Sequence, residues 1–87
     1  MPGQIDIKDK ISSFVNDYFV KDTGILVRYD TSFLDEGIID STGVMELVAY
    51  IELTFKIKIE DEEIIPDNID SINKIVNFVQ AKLKDKT

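Results

Sequence analysis

Apolar residues recur at three- and four-residue spacing in three separate stretches of this chain, and each stretch predicts an amphipathic helix. In the first, Ile7, Ile11, Phe14, Val15 and Tyr18 share one face, so a helix is expected from about Ile5 to Val20. "KDTG" closes it, with Gly24 as the breaker. In the second, Val44, Leu47, Val48, Ile51 and Phe55 form a buried stripe at i, i+3, i+4, i+7 and i+11. That helix is expected to start at Asp40 or Ser41, both preferred N-cap types, and to run to about Phe55. In the third, Ile72, Ile75, Val76, Val79 and Leu83 face inward on a helix from about Ser71 to Leu83, capped by Asp70 or Ser71. "DEEII" can form a short helical turn, which Pro66 is expected to end. "KIKIE" alternates as a strand does, but no second strand is available to pair with it, so it is read as loop. The tail "KDKT" is read as frayed and basic.

The connection between the first two helices, residues 21–39, is long for a helical bundle, where about 2–8 residues is usual. Phe33, Leu34, Ile38 and Ile39 are the residues expected to pin it to the core as an ordered crossover. The sum is an all-α domain spanning 1–87, with three main helices, one short helix and a long loop between helices one and two. The second helix also carries apolar residues off its buried stripe. With Val44 at zero on a helical wheel, Met45 falls near about 100°, Ala49 near about 140° and Leu53 near about 180°. Interleaved with Glu46 and Glu52, they make an exposed apolar strip with acidic edges, the pattern of a helix that binds a partner.

Composition narrows the chemistry. The 87 residues contain no Cys and no His. A disulfide framework, a zinc–thiolate site and a thiol nucleophile are excluded, and so are the usual general base and the commonest metal ligand. A self-sufficient hydrolase or transferase is not expected, and neither catalytic nor metal-ligating residues are assigned. No window approaches a membrane span, and "MPGQIDIKDK" lacks the apolar core of a signal peptide, so the chain is read as cytoplasmic. The net charge of −7 argues against nucleic acid as a ligand. Residues 30–70 hold twelve Asp and Glu against two Lys, while the remainder holds five acids against eight bases. The acidic middle is either a surface for partners with basic patches or a solvated face that keeps a small protein soluble.

Several motifs fail. Counting back from Gly37 puts Ser32, Leu34 and Glu36 where a calcium loop needs carboxylates. The four glycines form no phosphate-cradling loop, and a serine triad lacks its histidine. Ser41 keeps three readings: an N-cap, a phosphorylation site beside acids, or the attachment point of a phosphate-linked cofactor. In the third, the phosphodiester would lie at the positive end of the helix dipole, worth about 0.3–1 kcal/mol when exposed.

The Asp40–Ser41 pair opening an amphipathic helix, preceded by "FLDEGIID" and followed by "VMELVAYIELTFKIKIEDEEI", resembles the acyl carrier protein family. The resemblance spans essentially the whole chain and implies an acyl-carrier-like four-helix bundle. It implies that a phosphopantetheinyl transferase moves 4′-phosphopantetheine from coenzyme A onto Ser41, and that Asp40 helps coordinate that enzyme's magnesium. It further implies a monomer that carries acyl groups as thioesters for a fatty-acid-like or specialised biosynthetic pathway. Its partners would be an acyl-loading ligase or acyltransferase and downstream enzymes with basic patches. Thr42, Met45, Glu46, Ala49 and Glu52 would be the surface they read. The missing Cys and His then make sense, because the cofactor supplies the thiol and the partner supplies the base.

Family members commonly have Leu and then an acid after the serine, where this chain has Thr42 and Gly43, and Leu53 stands where an acid is common. These departures point away from housekeeping fatty-acid synthesis and toward a dedicated pathway. The Leu-Gly-Gly context of peptidyl carriers is replaced by "EGIID", which favours acyl over peptidyl cargo; a peptidyl or aminoacyl carrier is the alternative, and the sequence leaves acyl against aminoacyl open. The competing class is a non-carrier interaction module, in which the acidic face docks a basic partner and Ser41 is only a cap.

Overall fold

The computed structural model describes residues 4–86; Met1–Gly3 and Thr87, which include the chain start and the last residue of the tail, lie outside them. Helix α1 (Gln4–Val15) runs into a wider π turn (Asn16–Val20). A loop crosses to α2 (Ser41–Phe55), a 3-10 turn (Asp61–Glu63) and the four-residue α3 (Pro66–Ile69) follow, and α4 (Ile72–Lys86) ends the chain. The four helices form the expected acyl-carrier-like bundle, with no strand among the described residues.

The apolar stripes build the core. Ile7, Ile11 and Val15 from α1, Leu47 and Ile51 from α2, and Ile72, Ile75, Val76 and Val79 from α4 are fully buried. Tyr18, expected on the inward face of the first helix, instead has 55% of its surface exposed. The π turn is the reason. Its i→i+5 bonding winds fewer degrees per residue, so Val20 reaches the core and Tyr18 swings outward. Left-handed backbone at Asp22 (φ 66°) and Gly24 (φ 79°) then turns the chain away.

The long loop is an ordered crossover, held mainly by the start of α4. The Phe33 amide donates to the Asp70 carbonyl (2.8 Å), the Asn73 amide to the Tyr29 carbonyl (2.9 Å) and the Leu34 amide to the Asp70 carboxylate (2.9 Å). Ser32 donates its hydroxyl to the same carboxylate. Phe33, Ile38 and Ile39 are buried as expected, but Leu34 is 52% exposed. Phe33 takes the core position, and its neighbour in a tight turn must point elsewhere.

Three further elements depart from expectation. Pro66 opens α3 instead of ending a turn, because at the first helical position its missing N–H costs nothing. The acidic "DEE" is a separate 3-10 turn, held to α4 by Lys82 Nζ on Glu63 Oε1 at 2.7 Å. Helix α4 continues three residues past Leu83 to Lys86, since nothing in "KDK" stops it. Ser71, not Asp70, caps it, with Oγ accepting from the Lys74 amide (3.1 Å). The "KIKIE" segment is irregular as expected, yet its alternation is real. Ile57 and Ile59 are buried against the bundle while Lys58 faces solvent.

Candidate functional site

The site is built where the loop enters α2. Asp40 is extended (φ −94°, ψ −176°), and its Oδ1 accepts from the Gly43 amide at 2.7 Å. Its carbonyl accepts the first helical bond, from the Val44 amide (2.9 Å). Of the two N-cap candidates, Asp40 therefore takes the cap. Ser41 follows at the first helical position, exposed, and among the described residues nothing hydrogen-bonds its hydroxyl. The amides of the first turn not used by the cap point the same way and favour an anion there. A phosphate ester on Ser41 fits this position in both charge and access.

Gly43 lets the first turn of α2 sit low against the bundle. A Cβ there would come within 2.8 Å of Phe19 Cε1 and 3.0 Å of Ile39 Cγ2. Phe19 and Ile39 would have to shift to admit a side chain, so the close approach favours glycine here. That gives a physical reason for one departure from the family pattern.

The outward strip of α2 is present as expected. Met45 is 55% exposed and Leu53 80%, with Thr42, Glu46 and Ala49 also on the surface. Glu52 is different. It is half-buried, and its Oε2 accepts from the Ile59 amide (2.8 Å), so it holds the chain after α2 as well as edging the strip. Glu46 lies beside Tyr18, a pairing that sequence spacing missed because the π turn reorients the tyrosine. Hydrogen bonding to Glu46 holds the Tyr18 phenol above the usual tyrosine range.

A cavity of about 150 Å³ lies between the loop, the first half of α2 and α3. Phe33, Ile39, Val44, Leu47, Ile64 and Ile69 give it a mainly apolar wall, with half-exposed Leu34 and the Asp70 carboxylate also on its lining. Val44 is one helical turn beyond Ser41. The cavity's volume is that of a benzene-sized group, and it opens to solvent on one side. No local pattern could have announced it, since its walls come from three separate segments. Among the described residues, no group of three or more His, Cys, Asp or Glu could hold a metal, and no helix is long and apolar enough to cross a membrane.

The acids between residues 30 and 70 are mostly exposed and repel one another. Screening acts over about 8–10 Å at ordinary salt. Raising ionic strength, or adding a millimolar divalent cation, is therefore expected to raise the Tm. A Tm indifferent to both would mean that the carboxylates are spaced widely enough not to interact.

Residues 15–79 match the protein family described as "Phosphopantetheine attachment site". The chain is also similar to the D-alanyl carrier protein of Streptococcus thermophilus strain ATCC BAA-491 / LMD-9. The two are 29% identical over 75 residues, covering 86% of this chain and 92% of the relative. The proteins of the same name from strains CNRZ 1066 and ATCC BAA-250 / LMG 18311 give the same figures.

Proposed function

This chain belongs to the phosphopantetheine attachment-site family of carrier proteins, and from that premise we propose that Ser41 is the residue that bears its arm. It is a carrier and not itself a catalyst, and its cofactor is covalent 4′-phosphopantetheine. The observation that carries the assignment is the division of labour at the start of α2. Asp40 satisfies the helix end, which leaves the Ser41 hydroxyl exposed and unengaged. In the transfer, Ser41 Oγ bonds to the pantetheine-side phosphorus of coenzyme A, the pyrophosphate P–O bond breaks, and adenosine 3′,5′-bisphosphate leaves. The hydroxyl proton passes to a base on the phosphopantetheinyl transferase, since this chain has no histidine or cysteine to take it. Once bound, the arm supplies a terminal thiol that holds a carboxylic acid as a thioester. Intact mass after incubation with coenzyme A, magnesium and a broad-specificity transferase tests the assignment.

The cargo we favour is a small neutral acyl group, loaded by a ligase or acyltransferase of a dedicated pathway. The mainly apolar lining of the cavity one turn beyond Ser41 supports it, because covering a hydrocarbon group there removes apolar surface from water. An aminoacyl cargo is the second reading, supported by the name of the streptococcal relatives. The intact mass of protein purified from its native cell, cargo included, separates the two. We read residues 1–87 as one monomeric carrier domain working in the cytoplasm.

Partners dock on the outward strip of α2 by charge and apolar contact together. Glu46→Lys is expected to slow loading several-fold through weaker encounter, and the defect should shrink as salt rises. Met45→Ala should weaken the complex by about 1–2 kcal/mol at any salt, since a half-exposed side chain loses its cover. Both variants should fold, because neither position belongs to the buried stripe. Two folded variants that load at the wild-type rate would remove α2 as the docking surface.

A further inference from the structure

The outer side of α1 meets α2 in a stack of aromatic rings that the attachment site does not use. Phe14 lies face to face with Tyr50 (centroids 4.0 Å apart, planes at 10°) and with Tyr18 (5.1 Å, 20°). Phe19 closes the group edge-on to Phe14 (5.7 Å, 82°). The Tyr50 hydroxyl donates to the Lys10 carbonyl (3.1 Å), which fixes that ring against α1. Phe14, Tyr18 and Tyr50, with Ser13 and Asp17, line a shallow open cleft of about 320 Å³. Glu46, on the outward strip of α2, is not in the lining but hydrogen-bonds with Tyr18, which is. The cleft is therefore continuous with the proposed docking surface.

We infer that this cleft is a second docking point, and that it receives an arginine side chain from a partner enzyme. Its chemistry selects that occupant. Ring surface attracts a cation, and a planar, weakly hydrated guanidinium stacks on aromatic rings better than an ammonium does. Asp17 and Glu46 supply the carboxylates that a guanidinium pairs with through its several donors. A phosphate or carboxylate would be repelled by the same two acids, and a purely apolar side chain would leave them unpaired. Lys10 is about one turn of α1 before Ser13 and Phe14, outside the lining, and its positive charge opposes an incoming cation. The inference extends the reading of α2 as the docking face and is independent of the assignment of Ser41.

The test is an NMR titration of the unmodified full chain with N-acetyl-arginine amide, beside its lysine and citrulline counterparts at matched ionic strength. The arginine probe should shift the ring signals of Phe14, Tyr18 and Tyr50 saturably. The lysine probe should bind several-fold more weakly, and uncharged citrulline should give no saturable shift. Asp17→Asn and Tyr18→Leu, both at exposed positions, should each weaken arginine binding at least threefold, and Lys10→Gln should tighten it. Equal responses to arginine and citrulline would overturn the inference. So would shifts centred on Met45 and Ala49 with the rings silent, or an Asp17→Asn variant that binds as wild type does. Loss of arm attachment from a Ser41 variant would leave this titration unchanged, so the two assignments fail separately.

Discussion

Ser41→Ala is expected to abolish attachment of the pantetheine arm while leaving stability nearly unchanged. The first half is all-or-none, because the ester is made to Oγ and alanine has none. Three of the other four serines are engaged or buried, and exposed Ser13 lies inside α1, away from a helix start. Ser32 donates to Asp70 and accepts from the Asp35 amide, Ser71 is buried as the cap of α4, and Ser12 Oγ is buried. Thr42 is exposed and adjacent, which makes it the informative control. The second half follows from the cap. Were Ser41 the N-cap, its loss would cost about 0.5–2 kcal/mol. Asp40 holds that role, so the change should stay within about 0.5 kcal/mol, as surface substitutions usually do. Intact mass after incubation with coenzyme A, magnesium and transferase reads the first outcome, and the Tm reads the second. An arm on the alanine variant, at Thr42 or elsewhere, would sink the assignment. A Tm drop as large as a lost cap would show the serine in a structural role.

Much of this arrangement is legible in the sequence, and the places where legibility fails have physical causes. The stripe of Leu47, Val48, Ile51 and Phe55 reads true because a regular α-helix keeps its 3.6-residue period throughout α2. Tyr18 reads false because the period itself changes at Asn16, and nothing in "NDYFV" announces a π turn. Pro66 reads as a stop or a start with equal ease, since proline suits both the residue after one turn and the first of the next. At the site, Asp40 and Ser41 are neighbours with nearly equal N-cap preference, so pattern alone leaves the cap open. The bond from Gly43 to Asp40 decides it. The cavity and the aromatic cleft depend on residues far apart in sequence, such as Val44 with Ile69, or Phe14 with Tyr50, and local periodicity carries no signal for them. Gly43 is an intermediate case. Its presence in the first turn of α2 is visible, but only Phe19 and Ile39 packed against it explain why a side chain there would displace its neighbours.

Asp40 is expected to separate folding from loading when its charge and its shape are changed in turn. One carboxylate oxygen accepts from the Gly43 amide, and the residue as a whole is exposed, so the other remains open toward a partner. The resemblance to acyl carriers implies that Asp40 helps hold the transferase's magnesium, and the open oxygen is the one free to do so. Asp40→Asn keeps an oxygen to cap the helix, and aspartate and asparagine are near-equal caps. It loses only the charge at the helix start, about 0.3–1 kcal/mol. A neutral amide is a poor ligand for a hard cation that prefers carboxylates. Loading of Asp40→Asn should therefore fall about tenfold or more, the scale seen when a group supporting a metal is removed. Asp40→Ala should lose the same loading and also the cap, a further ~0.5–2 kcal/mol of stability. Thermal melts and transferase assays on both variants, with magnesium titrated, give four numbers. Asparagine loading at the wild-type rate would remove the carboxylate from the metal. Equal destabilisation of the two variants would mean that the cap depends on charge and not on the acceptor oxygen. A defect in Asp40→Asn that excess magnesium relieves, with the Tm nearly kept, is the outcome that ties one oxygen of Asp40 to the fold and the other to the partner's metal.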